Sequence, residues 1–351
     1  MVQPTFFFTF TLYKNQLMGN QLLKGKKGIV FGALDERSIA WITALKAVEE
    51  GAEIVLTNAP IALRMGKINE LAAQCNNAPV IAADATSIMD LEDLVDGAMK
   101  ILGGNIDFVL HSIGMSVNVR RGNHYTNQDY NFTKTGFDVS ALSFHRVMSM
   151  LYKKDAMNEW GSVVALSYMA AQRVFPDYND MADNKAYLES VARSFGYFFG
   201  RDKKVRVNTI SQSPTPTTAG SGVKGFDGFI AYAEKMSPLG NATALECADY
   251  TISLFSDLTK KVTLQNLFHD GGFSNMGVST AIMEDFMKDY NELQGDNLNY
   301  TVIGVFEVVN FGGPQIDIDI PFTTFQQVYN RALTSNEVLQ NYNAQKNRFG
   351  L

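Results

Sequence analysis

The sequence predicts an α/β protein in which helices cover both faces of one doubly wound parallel sheet. Short apolar segments typical of buried strands alternate with helical segments, and each strand–helix unit takes about 25 to 30 residues. Hydrophobic residues make up 46% of the chain and charged residues 19%, which suits a soluble protein with a full core. The 351 residues are enough for one large α/β domain or two small ones.

Composition argues against several classes of function. The net charge of -6 makes a general nucleic-acid-binding surface unexpected. The 2 cysteines are far apart and the 4 histidines lack metal-ligand spacing, so we expect no disulfide framework, no metal site and a reducing cytosol. No segment reaches the ~18 apolar residues that span a bilayer. We therefore expect a cytoplasmic protein without a membrane partner.

The first strand candidate is followed by a glycine turn and a helix. Lys27 to Phe31 is apolar, Gly32 opens the turn, and a helical pattern that begins at Ser38-Ile39 runs to Glu50. This is the phosphate-binding unit of a Rossmann fold, in which backbone N–H groups and the helix N-terminus face the pyrophosphate. We expect Ser38 to cap the helix and to donate to a phosphate. A strand, loop and helix without a ligand is the alternative.

The next units extend this pattern. Strand candidates cover 53–57, 80–83 and 106–110, and helical periodicity covers 68–74 and 89–102. After the second strand of a dinucleotide fold, an acidic residue favours NAD and an arginine favours NADP. Here the chain reads Asn58-Ala59-Pro60, with no basic residue before Arg64. The sequence therefore favours NADH, and NADPH is the less favoured cofactor.

The chain after the fourth strand is polar before it becomes helical again. Ser112-Ile113-Gly114 ends this strand, and the glycine allows the backbone to approach a nicotinamide ribose. The segment 115–132 is irregular, and we expect it to cap the cofactor site and to carry substrate contacts; a solvated connection is the alternative. A helix at 137–152 and a buried strand at 162–166 follow.

A tyrosine and a lysine follow this fifth strand. Tyr178 and Lys185 are seven residues apart, about two helical turns, so we expect both side chains on one face of a helix that continues from 186 to 200. An ammonium group there stabilises the phenolate form and can hold a ribose, while the hydroxyl can polarise or protonate a carbonyl oxygen.

This segment resembles the enoyl-acyl carrier protein reductases of bacterial fatty-acid synthesis, a divergent branch of the short-chain dehydrogenase/reductases. Ordinary members of that superfamily have Tyr-x3-Lys, but Met181 stands four residues before Lys185. The enoyl reductases have Tyr-x6-Lys with a second tyrosine ten residues upstream, which Tyr168, Tyr178 and Lys185 match. The resemblance runs from about Leu23 to about Phe286 and includes Ser-Ile-Ala after the first turn, Ser-Ile-Gly and Asp-Gly-Gly-Phe.

The resemblance implies a reaction and a set of site residues. NADH delivers hydride to the β-carbon of a trans-2-enoyl thioester on acyl carrier protein, and Tyr178 hydrogen-bonds to the thioester oxygen as charge develops there. Implied cofactor contacts are Gly32, Ser38, Ile39, Ala59, Asp84, Ala85, Ser112, Ile113, Gly114, Lys185, Pro214, Thr215, Thr217, Thr218 and Ala219. Implied substrate contacts are Ser116, Tyr168 and Tyr178, of which the two tyrosines act in catalysis with Lys185.

The rest of the chain completes the sheet and adds a lid. A strand at 205–210, a loop at 211–222, a helix at 243–255 and a strand at 263–268 follow. In the resembling family the loop is a substrate-binding lid, and the Asp-Gly-Gly-Phe turn shapes the interface of a homotetramer. Acyl carrier protein is acidic, so we expect a basic patch of Lys224 with Arg120 and Arg121, or with Lys203 and Lys204; weak docking is the alternative.

The expected architecture is therefore a single Rossmann-type sheet with a lid and a short C-terminal extension. Residues 1–17 form an N-terminal extension, 18–287 the enoyl reductase domain, and 288–351 a poorly defined extension with strand-like segments at 301–309 and 315–322. Two alternatives stay open. One is another short-chain reductase, against which the missing Tyr-x3-Lys argues, and the other is a non-catalytic NAD(H)-binding or regulatory module.

Overall fold

A computed structural model describes residues 20–218, 220 and 226–294. The extension at 1–17, Ala219, Lys224 and the strand-like segments of the C-terminal extension lie outside the described residues. The chain divides into two compact units, Met1–Ser279 and Thr280–Leu351. The first unit carries the sheet, and the described part of the second is one helix, within which the expected domain boundary at 287 falls.

The first unit is built on one parallel sheet, which confirms the predicted fold class. Its strands are β1 (Lys27–Phe31), β2 (Glu53–Asn58), β3 (Val80–Ala82), β4 (Ile106–His111), β5 (Met157–Ser167), β6 (Arg206–Gln212) and β7 (Asn266–His269). They form a seven-stranded sheet in the order β3-β2-β1-β4-β5-β6-β7, with every neighbouring pair parallel. The strand order reverses between β1 and β4, and sheets of this kind bind ligands outside the carboxyl ends of the strands at that point.

The central strands form because their residues are apolar on both faces. Ile29 and Val163 belong to the core on one side of the sheet, and Val30 and Val164 belong to the core on the other. All four are fully buried. Helices cover both faces of a parallel sheet, so its strands are continuous apolar runs rather than alternating ones.

Two strands differ from the prediction at their ends. β5 begins at Met157 rather than at 162, and its register against β4 shifts near residues 158–160, where Trp160 has a φ of +63°. β7 begins at Asn266 rather than at 263, because Leu264 has a φ of +64° and cannot continue an extended strand. Backbone irregularities of this kind leave no signal in apolar periodicity.

Helices join the strands and cover both faces. They are α1 (Ile39–Glu49), α2 (Pro60–Met65), α3 (Ile68–Gln74), α4 (Ile88–Leu102), α5 (Val117–Arg121), α6 (Tyr130–Phe137), α7 (Ser143–Lys153), α8 (Asp180–Lys203), α9 (Phe226–Met236), α10 (Ala244–Phe255) and α11 (Thr280–Gln294). The segment 115–132 is therefore not irregular: Ser116 caps α5 and Asp129 caps α6 through side-chain oxygens. A π-helical turn, Asp138–Leu142, joins α6 to α7.

The described residues also bear on cofactor, redox and membrane expectations. Both cysteines are free and buried, and burial raises the pKa of each thiol to about 12, so both are unreactive thiols. Within 20–218, 220 and 226–294, no three His, Cys, Asp or Glu side chains are grouped as metal ligands. None of the described helices is long and apolar enough to cross a membrane.

Candidate active site

Loops that follow the central strands converge at the carboxyl edge of the sheet. Gly32, directly after β1, has a φ of +93°, and a Cβ atom built on it would lie 2.0 Å from the carbonyl oxygen of Ser112. Only glycine can bring the turn after β1 so close to the loop after β4. β5 pairs with β4 and ends at Ser167, so Tyr168 enters the same edge.

Tyr178 does not share a helix with Lys185, and the prediction of one common helix face is wrong. α8 begins at Asp180, and Tyr178 ends the short 3₁₀ turn Pro176–Tyr178. Between them, Asn179 has φ +47° and ψ -138°, which lies outside the helical region. Asparagine is a favoured N-cap residue, and this signal marks the true start of the helix.

The two tyrosines nevertheless lie side by side, as the family spacing implies. The ring centroids of Tyr168 and Tyr178 are 4.9 Å apart and the rings are tilted by 54°. Tyr168 is 8% exposed, and its hydroxyl finds no hydrogen-bond partner within the described residues. A buried phenol without a partner is costly, so this hydroxyl is poised to bind a polar atom of a ligand.

Both phenols stay protonated at physiological pH. Burial raises the pKa of Tyr178, and burial followed by the proximity of Tyr178 and Asp270 raises the pKa of Tyr168. The expectation that an ammonium group stabilises a phenolate is therefore wrong for this structure. Each tyrosine can act as a neutral hydrogen-bond donor instead.

Lys185 is buried at the carboxyl end of β5. It is 7% exposed, and its Nζ donates to the carbonyl oxygen of Leu166 at 2.7 Å. Burial lowers the pKa of Lys185 to about 8, while the carboxylate of Glu189, one turn later on α8, acts in the opposite direction. Glu189 is itself buried and accepts from Ser167 Oγ at 2.7 Å and Gln172 Nε2 at 2.8 Å. The sequence analysis missed Glu189, although its position four residues after Lys185 places it on the same helix face.

An aromatic cluster extends from the tyrosines to α9. The ring of Phe175 lies 5.5 Å from that of Tyr168 and 5.4 Å from that of Phe229 on α9. Phe273, in the turn after β7, lies 6.3 Å from Phe175 and 6.2 Å from Phe229, measured between centroids. The cluster gives the site an apolar wall that suits a hydrocarbon chain beside two phenol hydroxyls.

The turn after β1 leads into α1 as predicted, but Ser38 does not cap the helix with its side chain. Ser38 occupies the N-cap position, yet its Oγ donates to the carbonyl oxygen of Asp35 at 2.7 Å and accepts from Leu34 N at 3.3 Å. The hydroxyl therefore holds the turn, and the start of α1 at Ile39 has no side-chain cap. An uncapped helix N-terminus can accept a phosphate.

The cofactor residues predicted beyond β2 and β3 lie at the same edge of the sheet. Ala59 follows β2, and its N–H donates to Asn58 Oδ1 at 2.9 Å. Asp84 follows β3, where one oxygen of its carboxylate accepts from Thr86 N at 2.9 Å and from Thr86 Oγ1 at 2.7 Å. Ala85 is buried beside it. Asp84 thus shapes the turn that precedes α4.

The loop after β4 meets α8. A Cβ atom built on Gly114 would lie 3.5 Å from Met181 Cε and 3.8 Å from Lys185 Nζ, so the Ser112-Ile113-Gly114 loop borders the lysine. The contacts of Ser116 differ from the predicted substrate contact. It is buried, donates to Asp180 Oδ1 at 2.5 Å and accepts from Val119 N at 3.0 Å, so its hydroxyl serves the fold rather than a substrate.

The described start of the lid is attached to the turn after β1. Arg37 Nη2 donates to Thr218 Oγ1 at 2.8 Å, and this hydroxyl donates in turn to the carboxylate of Asp35. Thr215, behind Pro214, donates to the carbonyl oxygen of Ser213 at 2.9 Å. Thr217 Oγ1 accepts from the N–H of Gly220 at 3.0 Å. The two chain segments expected to hold the pyrophosphate are therefore in direct contact.

His111 is a packed core histidine. It is fully buried, and Nε2 lies 3.0 Å from Ser143 Oγ, which donates to the carbonyl oxygen of Val139 at 2.6 Å. Burial, followed by the charge of Lys185, lowers the pKa of His111 to about 3. The neutral ring therefore donates from Nε2 to Ser143 and holds the end of β4 against the π-helical turn.

The basic residues expected to bind a carrier protein do not all lie at the same edge of the sheet. Lys203 Nζ donates to the carbonyl oxygen of Met157 at 3.1 Å and pairs with Asp155, both at the amino edge of the sheet. Lys203 and Lys204 at the end of α8 are therefore on the edge opposite to Lys185, and that part of the prediction is wrong. Arg120 and Arg121 are exposed at the end of α5.

A family sequence model matches most of the chain. The model described as "Enoyl-(Acyl carrier protein) reductase" covers residues 32–274. The chain is 32% identical over 263 residues to "Enoyl-[acyl-carrier-protein] reductase [NADH] 2" of Rhizobium meliloti (strain 1021). The matched segment covers 74% of this chain and 96% of the relative. It is 31% identical over 257 residues to the enzyme named "Enoyl-[acyl-carrier-protein] reductase [NADH] FabI" in Escherichia coli (strain K12), over 72% of this chain and 95% of the relative.

Two solved structures have a higher sequence identity to this chain than those two relatives. The FabI–NADH complex from Alistipes finegoldii superposes with a TM-score of 0.74 at 62% identity, over 75% of this chain and 93% of that one. Another FabI structure from the same organism superposes with a TM-score of 0.74 at 57% identity, over 78% of this chain and 100% of that one.

Proposed function

Because the chain belongs to the enoyl-(acyl carrier protein) reductase family, we propose that it reduces the trans-2 double bond of enoyl thioesters on acyl carrier protein with NADH. It is an NADH-dependent oxidoreductase of fatty-acid elongation that acts on CH–CH bonds. The observation that carries the assignment is the pair of tyrosine rings 4.9 Å apart, at the same carboxyl edge of a parallel sheet as buried Lys185. This supports enoyl reduction over the other short-chain reductases considered.

The residues at this edge fit a dinucleotide. The crowded glycine turn at Gly32 and the start of α1 without a side-chain cap leave backbone N–H groups for a pyrophosphate. We assign the adenosine end to Ala59, Asp84 and Ala85, and the nicotinamide end to the Ser112-Ile113-Gly114 loop and the lid residues from Pro214. NADH, when bound, supplies the hydride that adds to the β-carbon of the substrate.

Tyr178 and Tyr168 supply hydrogen bonds where charge develops. Burial keeps both phenols neutral, so each can donate to the thioester oxygen as it becomes an enolate. The unpartnered hydroxyl of Tyr168 supports a direct contact with substrate. The aromatic cluster around Phe175 excludes water from the same position, which strengthens such hydrogen bonds.

Lys185 holds the cofactor rather than activating a phenolate. One N–H of its ammonium group is committed to the carbonyl oxygen of Leu166, which leaves two for ribose hydroxyls. Below pH 8 the group is charged, so it also favours the anionic transition state nearby. Glu189 on the adjacent turn partly offsets the effect of burial.

We further propose a cytoplasmic location, a homotetramer and docking of the acidic carrier protein near Arg120 and Arg121. The 2 widely spaced cysteines support a reducing compartment. Asp270 supports the turn associated with the tetramer in the resembling family, since its carboxylate accepts from Gly272 N and Ser274 N, each at 3.0 Å. The two arginines stand next to Asn123, whose carbonyl oxygen contacts the residue after Tyr178.

The variant Tyr178→Phe tests the proposed role of the phenol. We expect kcat for a trans-2-enoyl thioester to fall by about 100-fold, because one donor to the developing enolate is lost. The dissociation constant for NADH, measured by fluorescence titration, should not change. Tyr152→Phe is the matched control, since its hydroxyl bonds to Asp202 away from the site.

Three outcomes separate the proposal from its alternatives. Turnover of the enoyl thioester without turnover of a 3-ketoacyl thioester supports the reductase. Tight NADH binding without turnover of either supports a non-catalytic module. Full activity of Tyr178→Phe contradicts the role given to this residue.

A further inference from the structure

We propose that Asn179 is a positioning residue for Tyr178. The unusual backbone conformation of Asn179 and its amide side chain hold Tyr178 in place. The inference rests on the proposed role of Tyr178. Three observations carry it: the backbone angles of Asn179, the hydrogen bonds at both ends of its amide, and the identity of the segment that holds that side chain.

Asn179 has backbone angles that favour glycine. Its φ of +47° and ψ of -138° are close to those of the first central residue of a type II′ turn. Residues with a Cβ atom rarely adopt this conformation and keep it only where the surroundings enforce it. The turn sets the direction in which the chain leaves Tyr178 before α8 begins at Asp180, and so it sets where the phenol points.

The side chain of Asn179 enforces this conformation. The residue is 2% exposed, and its Oδ1 accepts from the N–H of Asp180 at 2.7 Å and from Gln128 Nε2 at 2.6 Å. Its Nδ2 donates to the carbonyl oxygen of Asn123 at 2.6 Å. Both ends of the amide are therefore engaged, in an arrangement that no other residue type reproduces.

The partners of Asn179 belong to a segment that is itself fixed to the start of α8. Asp180 is fully buried, and its carboxylate accepts from Ser116 Oγ at 2.5 Å and from Asn118 Nδ2 at 2.9 Å. Asn118 Oδ1 accepts in turn from Asn123 Nδ2 at 2.7 Å. The segment 115–133 thus forms the support on which the turn after Tyr178 rests.

The two sides of Tyr178 are held differently. On the N-terminal side, its N–H donates to the carbonyl oxygen of Phe175 at 3.0 Å within the 3₁₀ turn. On the C-terminal side, Asn179 alone links the turn to the helix. When alanine replaces Asn179, the amide bonds are lost and the Cβ atom favours negative φ, so the backbone relaxes and the phenol moves relative to Tyr168 and to a substrate oxygen.

The test compares Asn179→Ala with Asn179→Gly. Alanine loses the amide and disfavours the turn, so we expect kcat per folded enzyme to fall by about 100-fold, as for a catalytic group displaced by about 1 Å. Glycine loses the same bonds but adopts the turn freely, so its kcat should lie within about 10-fold of the unsubstituted enzyme. NADH titration counts the folded sites, and the dissociation constant for NADH should not change in either variant.

Asn208→Ala is the matched control. Asn208 is also buried, and its side chain bonds to the backbone at Val262 and Gln265, outside the site. This variant should lose thermal stability and keep its kcat per folded site. If Asn179→Ala keeps a normal kcat, or if Asn179→Gly is as impaired as Asn179→Ala, the positioning role is wrong.

Failure of this inference is distinguishable from failure of the proposed function. A normal kcat in Tyr178→Phe contradicts the role of the phenol itself. A strong loss in Tyr178→Phe combined with a normal kcat in Asn179→Ala contradicts only the role of Asn179.

Discussion

Lys185 and Glu189 place opposite charges one helical turn apart in a buried part of the site. The lysine reaches Leu166 and the glutamate reaches Ser167, so both hold consecutive residues at the end of β5. Burial favours the neutral amine, and the carboxylate opposes that effect. The charge of Lys185 therefore depends on Glu189.

We predict that Glu189→Gln narrows the pH range of NADH binding. The charged form of Lys185 binds ribose hydroxyls better, so affinity is highest below its pKa of about 8 and falls as the pH rises through that value. Without the carboxylate this pKa falls further, and the loss of affinity begins at a lower pH. NADH fluorescence titrations between about pH 6.5 and pH 9.5 measure the shift.

The control for this prediction is Glu92→Gln, at a glutamate that pairs with Lys154 away from the site. Its pH profile should match that of the unsubstituted enzyme. Coincident profiles for Glu189→Gln and the unsubstituted enzyme would contradict the electrostatic role of Glu189.

Individual residues show which features of the candidate site can be predicted from the sequence alone. The proximity of Tyr168 and Tyr178 was predicted, because the family spacing carries it. The backbone conformation between Tyr178 and Lys185 was not predicted, because residue spacing contains no information about the positive φ at Asn179. Ser38 and Ser116 were assigned to ligands, but a hydroxyl can serve a nearby backbone group equally well, and only coordinates distinguish the two.

At the scale of elements, α9 packs against the aromatic residues beside Tyr168. Phe229 on α9 packs edge-on against Phe175, which contacts Tyr168. Phe273 closes the cluster from the turn after β7. The position of α9 therefore depends on aromatic contacts that also form the apolar wall of the site.

We predict that Phe229→Ala raises the KM for long-chain enoyl thioesters more than the KM for a crotonyl thioester. The substitution removes a ring that would border a long hydrocarbon chain but contributes little to the thioester position. Steady-state kinetics with both substrates measure the difference. Phe198→Ala is the control, because Phe198 is exposed on the last part of α8 and contacts Tyr197. Equal changes in both KM values would contradict this role of α9.

Elements with strong apolar periodicity were predictable, and short capped ones were not. β1 and α3 have the predicted bounds, because a buried strand and an amphipathic helix each carry a full pattern. α5 and α6 lie in a polar segment, and their ends depend on single capping oxygens from Ser116 and Asp129. Caps of this kind are visible in the sequence, but loops carry the same residues.

At the scale of the whole molecule, every described residue of the candidate site belongs to the first unit. The family match ends at residue 274, before the second unit begins at Thr280. The C-terminal extension is therefore additional to the machinery that the family shares.

We predict that a chain ending at Gln294 keeps its activity and the proposed homotetramer. Domains that carry their own core tolerate removal of appended segments, so kcat/KM for an enoyl thioester should stay within about 2-fold. Light scattering after size-exclusion chromatography measures the assembly. Loss of the tetramer or of activity would contradict the prediction, and loss of the tetramer with normal NADH binding would assign the extension to assembly.

The bonds from Lys185 and Glu189 to the end of β5 have a consequence for catalysis. Lys185 bonds to a main-chain carbonyl oxygen of a central strand and Glu189 to the hydroxyl of the next residue, so neither has to search for its position when a nucleotide arrives. The electrostatic environment is preorganised during folding, and little reorganisation accompanies each turnover. The rate of a chemical step in this environment should therefore depend little on solvent viscosity.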